Sequence, residues 1–276
     1  MKTKILVCGS TGFLMANFIR YILYRSKDFD VTSIDNLKLI KDTKRIYFNK
    51  NHRFYVGDVS DKYFVERIIA LEKPDIIVCG DEIYEYEMLL KTTLNLISFK
   101  IPIIMLLPIA PDNDPDKMGS VIKSILTSQG HTAIEMPNRF GMRQRPLLMA
   151  VGGNIAWLLR SYLYDKAVSV SNDPLPWVYG EDVASFIWYI IENRQAGVVK
   201  MPPLGFASEK YITDKIESLY QKDYLISNDI CKEHNDGLIV NYEWSKVDWK
   251  PDSKDLDSVL EKTIRWFDAN RWALDE

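Results

Sequence analysis

The chain has 276 residues, of which 35 are Lys or Arg and 38 are Asp or Glu, so its formal net charge is −3. This length can bury a full core, and the mild acidity argues against a nucleic-acid groove. The three cysteines and three histidines lack metal-ligand spacing, so we expect no metal. No apolar run reaches the ~18 residues of a membrane span, and no signal peptide is visible, so we expect a cytoplasmic protein that does not contact membranes.

The first half of the chain alternates strand and helix patterns. Apolar runs typical of buried strands occur at 4–8, 30–34, 54–56, 75–79, 102–109 and 132–136. This alternation favours a parallel sheet with helices on both faces. Later elements are predicted as a helix near 151–164, a short strand at 167–170, a helix from about 181 and a last helix over 255–269.

These elements predict an α/β fold. We expect a Rossmann-type, doubly wound parallel sheet in residues 1–150. We expect a small C-terminal α/β lobe, a substrate-binding-like part, in residues 151–276, with the two parts interleaved.

The first sixty residues have the pattern of a dinucleotide-binding βαβ unit. A glycine-containing turn joins the first strand to a helix, the second strand ends in an acid, and a third strand leads into another acid. In such units the helix N-terminus receives a pyrophosphate and the acid hydrogen-bonds a ribose. A tight turn kept only for the fold, with solvated acids, explains the same pattern without a cofactor. The candidate cofactor-binding residues are Gly9, Thr11, Gly12, Phe13, Leu14, Asp35, Asn36, Asp58 and Val59.

Further motifs follow in order along the chain. They include Gly57-Asp58-Val59-Ser60-Asp61, Asn138-Arg139-Phe140-Gly141-Met142-Arg143-Gln144-Arg145-Pro146, Trp177-Val178-Tyr179 and Trp249-Lys250-Pro251. Together with the glycine turn they resemble the extended short-chain dehydrogenases/reductases of the NAD-dependent epimerase/dehydratase family, and are most similar to the dTDP-glucose 4,6-dehydratases.

The resemblance implies NAD as cofactor and a nucleotide sugar as ligand. It places Asn138, Arg143 and Arg145 on the loop that faces the nucleotide sugar. Arginine suits phosphate because its guanidinium forms two parallel hydrogen bonds. Pairing with surface acids is the alternative role for these arginines.

The chain departs from the family pattern where the cofactor would lie. Met15 stands in place of the third glycine of the turn, and Cys79-Gly80-Asp81-Glu82 stands in place of His-Leu-Ala-Ala. A methionine should crowd a pyrophosphate, and two acids should repel it. We therefore expect NAD binding that is weak or absent.

The catalytic groups of the family are also missing. The strand that should end in Ser/Thr-Asp-Glu ends in Leu106-Leu107-Pro108. If Lys117 is the remnant of the Tyr-x-x-x-Lys pair, the tyrosine position holds Asn113, and if Lys123 is, it holds Gly119. Neither residue supplies the phenol that the family uses as acid and base. Both lysines also fit plain surface positions.

Two hypotheses for function follow. In the first, the chain is a pseudoenzyme that has lost the Tyr-x-x-x-Lys dyad and serves as a binding or assembly module. In the second, it is an active nucleotide-sugar oxidoreductase, dehydratase or epimerase with altered catalytic groups.

The apolar residues of two predicted helices favour assembly with another chain. The resemblance implies dimerisation through the helices at 87–99 and 118–127. Their apolar residues exceed what one face needs to cover a sheet, which favours a homodimer or a hetero-assembly. These residues are Met88, Leu89, Thr92, Leu96, Val121, Ile122, Ile125 and Leu126.

Overall fold

A computed structural model describes residues 2–38, 45–80, 86–109, 118–146, 154–168, 170–220 and 243–274. The chain divides into two compact units. The first contains residues 1–136, 183–201 and 247–249, and the second contains residues 137–182, 202–246 and 250–276.

Ten strands and eight α-helices occur in the described ranges. In chain order they are β1 (Thr3–Cys8), α1 (Phe13–Arg25), β2 (Phe29–Asp35), β3 (His52–Val56), α2 (Lys62–Glu72), β4 (Ile76–Cys79), α3 (Tyr86–Ile97), β5 (Ile103–Pro108), α4 (Met118–Ser128), β6 (Thr132–Met136), β7 (Asn138–Phe140), α5 (Ile155–Leu163), β8 (Leu175–Tyr179), α6 (Gly180–Glu192), β9 (Gly197–Lys200), β10 (Gly205–Ala207), α7 (Glu209–Tyr220) and α8 (Leu256–Ala269).

The first unit is built on a seven-stranded parallel sheet in the order β3-β2-β1-β4-β5-β6-β9. Its central strands are apolar on both faces, as expected for a parallel sheet covered by helices. Helices α2, α3 and α4 contribute to the core on one face. The strand order reverses between β1 and β4, which is where doubly wound sheets bind ligands, at the carboxyl ends of the strands.

The second unit contains a three-stranded sheet in the order β10-β8-β7. Strand β8 pairs antiparallel with β10 and parallel with β7. Trp177 on β8 is fully buried in the core of this unit, and its Nε1 donates to the carbonyl of Ala207 at 2.8 Å. Helix α5 begins after Asn154, whose side chain accepts from the amide of Trp157 and so caps the first turn.

The fold class predicted from the sequence is confirmed by the seven-stranded parallel sheet with its flanking helices. The predicted strand at 167–170 differs, because Val168 forms only an isolated bridge and residue 169 lies outside the described residues. The described helices include none long and apolar enough to span a membrane.

Candidate functional site

The turn between β1 and α1 surrounds an open position at the helix N-terminus. Gly9 has φ +71°, and a Cβ built on it would meet nothing within 4 Å. The amides of Gly9 and Ser10 both donate to the carbonyl of Ile34, at 3.0 and 3.3 Å. Gly12 is the N-cap residue of α1 and supplies no side-chain cap. Helix amides that no side chain caps form an arrangement suited to a phosphate.

Asp35, at the end of β2, accepts hydrogen bonds from backbone amides at this turn and just after β2. Its Oδ2 accepts from the amide of Thr11 and its Oδ1 from the amide of Leu37, both at 2.9 Å. A carboxylate has about four acceptor sites, so these two hydrogen bonds do not use all of them. Ser10 lies in the same turn with 3% of its surface exposed, and its Oγ is buried without a hydrogen-bond partner. Sequence reasoning missed this hydroxyl because only the fold buries it.

The remaining predicted cofactor residues fall into two groups. The carboxylate of Asp58 accepts from the Ser60 amide at 2.8 Å and from Lys38 Nζ at 3.5 Å. Burial raises the pKa of Asp58, but these hydrogen bonds and the Lys38 charge outweigh it, so the pKa is lowered overall. Asn36 accepts from the amide of Lys38 at 3.0 Å. The side chains of Phe13, Leu14 and Val59 are buried as core residues.

Met15 points into the protein. It is 1% exposed, and a Cβ built on Gly80 would lie 2.7 Å from Met15 Cγ. Gly80 follows β4, and its amide donates to the carbonyl of Cys8 at 3.2 Å. The methionine therefore occupies space that any other residue at position 80 would need. Asp81 and Glu82, which were expected to repel a pyrophosphate, lie outside the described residues.

The end of β5 carries no polar group for acid–base chemistry. Leu106 and Leu107 are buried and Pro108 is half-buried. Lys123 Nζ pairs with the buried carboxylate of Glu135 on β6, so this amine is directed to the sheet. A Cβ at Gly119 would meet nothing within 4 Å. Lys117 and Asn113 are among the residues that the structure does not describe.

The predicted substrate residues lie together on one segment of the second unit. Asn138 begins β7, and its Nδ2 is buried without a partner. The Nε and Nη1 of Arg145 are likewise buried without partners. Arg143 has a left-handed backbone with φ 72°, and its guanidinium lies 5.5 Å from the centre of the Trp266 ring. This segment therefore carries three buried donor atoms that no protein atom satisfies.

Tyr179, at the end of β8, is a polar residue that sequence reasoning did not single out. Its ring lies against Gly141, where a Cβ would be 3.0 Å from Cε2. Its hydroxyl is buried without a partner. Burial raises the pKa of Tyr179, and the nearby acids Glu181 and Asp182 raise it further, so the phenol stays protonated. Its place in the Trp-x-Tyr motif is the one signal that could have identified it.

Among the described residues, no group of three His, Cys, Asp or Glu side chains is placed to hold a metal ion.

The sequence comparisons cover a short part of the chain. No protein-family model matches the chain. Over 77 residues it is 38% identical to the low-salt glycan biosynthesis protein Agl12 of Haloferax volcanii, a match that covers 27% of this chain and 24% of that protein. Over 78 residues it is 27% identical to the dTDP-D-glucose 4,6-dehydratase of Mus musculus, covering 27% of this chain and 22% of that protein. The matches thus span about a quarter of these relatives' length.

Structural comparison covers nearly the whole chain. A dTDP-glucose 4,6-dehydratase from Bacillus anthracis, solved in complex with NAD, is similar with a TM-score of 0.78 at 17% identity, covering 98% of both chains. A UDP-glucose 4-epimerase from Thermotoga maritima, solved with UDP-glucose, has a TM-score of 0.75 at 16% identity, covering 98% of this chain and 100% of that one. The chain therefore has the fold of the NAD-dependent epimerases and dehydratases, as the sequence resemblance predicted.

Proposed function

We propose that this protein binds a nucleotide sugar without converting it, and that it acts as a binding or assembly module with the epimerase/dehydratase fold. One observation carries the proposal. Arg145 has two buried donor nitrogens, Nε and Nη1, without a partner. Arg145 as a whole is half-buried, but buried donor atoms without a partner cost stability unless a ligand such as an anion accepts from them.

A diphosphate meets this requirement best. Its oxygens are acceptors only, and the guanidinium can bind two of them at once. The buried Nδ2 of Asn138 supplies another donor on the same segment, which suits a phosphate or a sugar hydroxyl. The solved epimerase from Thermotoga maritima holds a ligand of this class, UDP-glucose. These points support a nucleotide sugar over an uncharged ligand.

The described residues near β5 offer no group for the acid–base chemistry that turnover would need. Leu106, Leu107 and Pro108 cannot transfer a proton. Lys123 is held by Glu135 and so is not directed to a substrate hydroxyl. With no phenol among the described residues at the end of β5, the oxidation that begins epimerase and dehydratase chemistry lacks a base there. The alternative, an enzyme with altered groups, would need a base from residues that the structure does not describe.

Calorimetric titration with dTDP-glucose and UDP-glucose tests binding. Replacing Arg145 with methionine should weaken binding of the preferred ligand by about tenfold or more, the loss expected for charge-assisted hydrogen bonds. The melting temperature should stay equal or rise, because Nε and Nη1 bond no protein atom. Arg265→Met is the matched control, since Arg265 is exposed and pairs with Glu261 one helical turn away. Unchanged binding in the Arg145 variant would contradict the proposal.

A product assay tests the absence of turnover. The protein is incubated with dTDP-glucose and NAD, and the 4-keto-6-deoxy product is measured against a no-enzyme control. We expect no product above the control. Product well above it would support the alternative of an active enzyme with altered groups.

Assembly through α3 and α4 is a second part of the proposal. Leu89, Thr92 and Leu96 of the predicted stripe are buried within the unit, as are Ile122 and Leu126. Among the side chains of these helices that the structure describes, the large apolar ones that are exposed are Leu94, at 48%, and Val121, at 44%. We propose that these residues contact a second copy of the chain or another protein. Light scattering should show a complex larger than the monomer, and Val121→Glu should dissociate it. A monomer with no co-purifying protein would contradict this part.

A further inference from the structure

We infer that the first unit carries a second binding site, which takes a flat aromatic molecule bearing an anionic group. The site is a cavity of about 620 Å³ between the segment 46–50 and strand β3, which we call the 46–54 cavity. The rings of Tyr47, Phe48 and Phe54 are part of its lining. Small-molecule sites have volumes of about 300–1,000 Å³ and linings that are mainly apolar and aromatic, with a few polar groups.

The 46–54 cavity is separate from both candidate sites described above. It lies beside the amino-terminal half of β3, which begins at His52. The turn at Gly9 and the carboxylate of Asp35 lie at the carboxyl ends of β1 and β2, where doubly wound sheets bind their ligands. The segment with Arg145 belongs to the second unit. The inference therefore does not depend on the proposed function.

Hydrogen bonds hold the wall of the cavity in place. Nη1 of Arg20 on α1 donates to the carbonyl of Arg45 at 2.9 Å, and the guanidinium of Arg20 lies 5.5 Å from the centre of the Tyr47 ring. Nδ1 of His52 lies 2.5 Å from the carbonyl of Tyr47, and the amide of His52 donates to the carbonyl of Asn49 at 3.0 Å. A wall fixed in this way does not have to be ordered when a ligand binds, which favours affinity.

The two polar side chains in the middle of the lining, His52 and Asn49, are set by their protein partners. A carbonyl only accepts, so Nδ1 of His52 donates to Tyr47, and Nε2 accepts from the hydroxyl of Ser33 at 2.8 Å. Burial lowers the pKa of His52, which keeps its ring neutral at pH 7. Oδ1 of Asn49 accepts from the amide of Asn51 at 2.9 Å, so the group that Asn49 can offer a ligand is the donor Nδ2.

Lys50 supplies the positive charge of the lining. Its side chain is exposed and pairs with no carboxylate among the described residues. The sequence around it is basic, because residues 38–53 contain six Lys or Arg and one Asp in a chain whose net charge is −3. A local excess of positive charge attracts an anion. The ligand should therefore carry an acceptor group with negative charge.

Phe48 accounts for the aromatic part of the ligand. Its side chain is 84% exposed although it lines the cavity. A flat ring placed between Phe48 and the half-buried Phe54 would remove apolar surface from water and stack on aromatic faces. A molecule that combines an aromatic plane with an anionic group uses both this surface and the charge of Lys50.

Two fluorescent probes with the same rings test the inference. One is 8-anilinonaphthalene-1-sulfonate, and the other is N-phenyl-1-naphthylamine, which lacks the sulfonate. Titration of the whole chain should show saturable binding of the sulfonate probe at one site per chain. Absence of saturable binding would overturn the inference. Displacement of the probe by NAD or UDP-glucose would also overturn it, because the probe would then occupy a nucleotide site.

A variant of Lys50 tests the charge. Lys50→Met should weaken binding of the sulfonate probe by about threefold or more and leave binding of the neutral probe within about twofold of the wild type. Lys62→Met is the matched control, because Lys62 is an exposed lysine on α2 outside the lining, and both affinities should be unchanged. Equal effects of Lys50→Met on the two probes, or no effect, would refute an anion site.

A variant of Phe48 tests the aromatic contact. Phe48→Ala should weaken binding of both probes by about threefold or more without lowering the melting temperature, since the ring is exposed. Tyr63→Ala is the control, because Tyr63 is a 79% exposed aromatic residue outside the lining. Unchanged affinities in Phe48→Ala would show that the probes bind elsewhere. A dimer that Phe48→Ala dissociates, with no probe binding to the wild type, would assign the cavity to a side chain of another chain and overturn the inference.

Discussion

The contact between Met15 and Gly80 predicts that these two positions are energetically coupled. A Cβ at residue 80 would lie 2.7 Å from Met15 Cγ, far inside the normal carbon–carbon separation of about 3.5–4.0 Å. Met15 is 1% exposed and Cγ is near its backbone, so the side chain has little room to move away. Gly80→Ala should therefore cost about 1–3 kcal/mol of the free energy of unfolding.

The second substitution should relieve this cost. Met15→Ala alone leaves a cavity and should cost about 2–5 kcal/mol. In the double variant the alanine at position 80 no longer meets Met15 and fills part of that cavity. The double variant should therefore be more stable than the sum of the single effects predicts, by about 1 kcal/mol or more.

Urea unfolding of the four proteins, followed by circular dichroism, measures the coupling. Gly119→Ala is the matched control, because its Cβ meets nothing within 4 Å and alanine favours the helix. That control should be neutral or stabilising by up to about 1 kcal/mol. Additive effects of Met15→Ala and Gly80→Ala, within about 0.5 kcal/mol, would refute the reasoning.

Three further predictions concern stability. Gly57→Ala should cost about 2 kcal/mol in urea unfolding, because its Cβ would lie 2.2 Å from Cζ of the Phe64 ring; wild-type stability would contradict this packing. Lys123→Met should cost about 2 kcal/mol, since Glu135 loses its ammonium partner in a buried site, and Lys123→Met with Glu135→Leu should recover most of it in thermal unfolding. Burial lowers the pKa of His131, so its contribution to stability is present above the unfolded pKa of about 6.5 and is lost as the pH falls below it. His131→Gln should therefore reduce the change in the midpoint of urea unfolding between pH 7.5 and pH 5.

The first unit was predictable because its strands are long apolar runs separated by helices. The run at 4–8 corresponds to β1 and the run at 102–109 to β5, each within a residue or so of the observed bounds. The strands of the second unit give no such signal. Strand β7 has only three residues. Strand β8 contains Pro176, which argues against a strand in the sequence although it pairs with Phe206 on β10.

The candidate sites were predictable to different degrees. The turn at Gly9 follows from a local motif, because only a glycine adopts its backbone conformation readily. The unsatisfied donors of Arg145 and the pairing of Lys123 with Glu135 depend on which side chains the fold buries together. Residues far apart in sequence decide that outcome, so no local pattern predicts it.

Under the proposed function, the described residues that stand where the resemblance places catalytic groups are those expected where stability is no longer traded for activity. A catalytic phenol or acid needs a polar, strained or desolvated environment, and this environment costs stability. Here β5 ends in buried leucines, Lys123 is satisfied by Glu135, and Met15 is packed against Gly80. The buried hydroxyl of Ser10 and the buried donors of Arg145 are the opposite case, because leaving them without a hydrogen-bond partner still costs stability. Under the proposed function this contrast has one cause: the chain has given up the groups that react and kept the groups that bind.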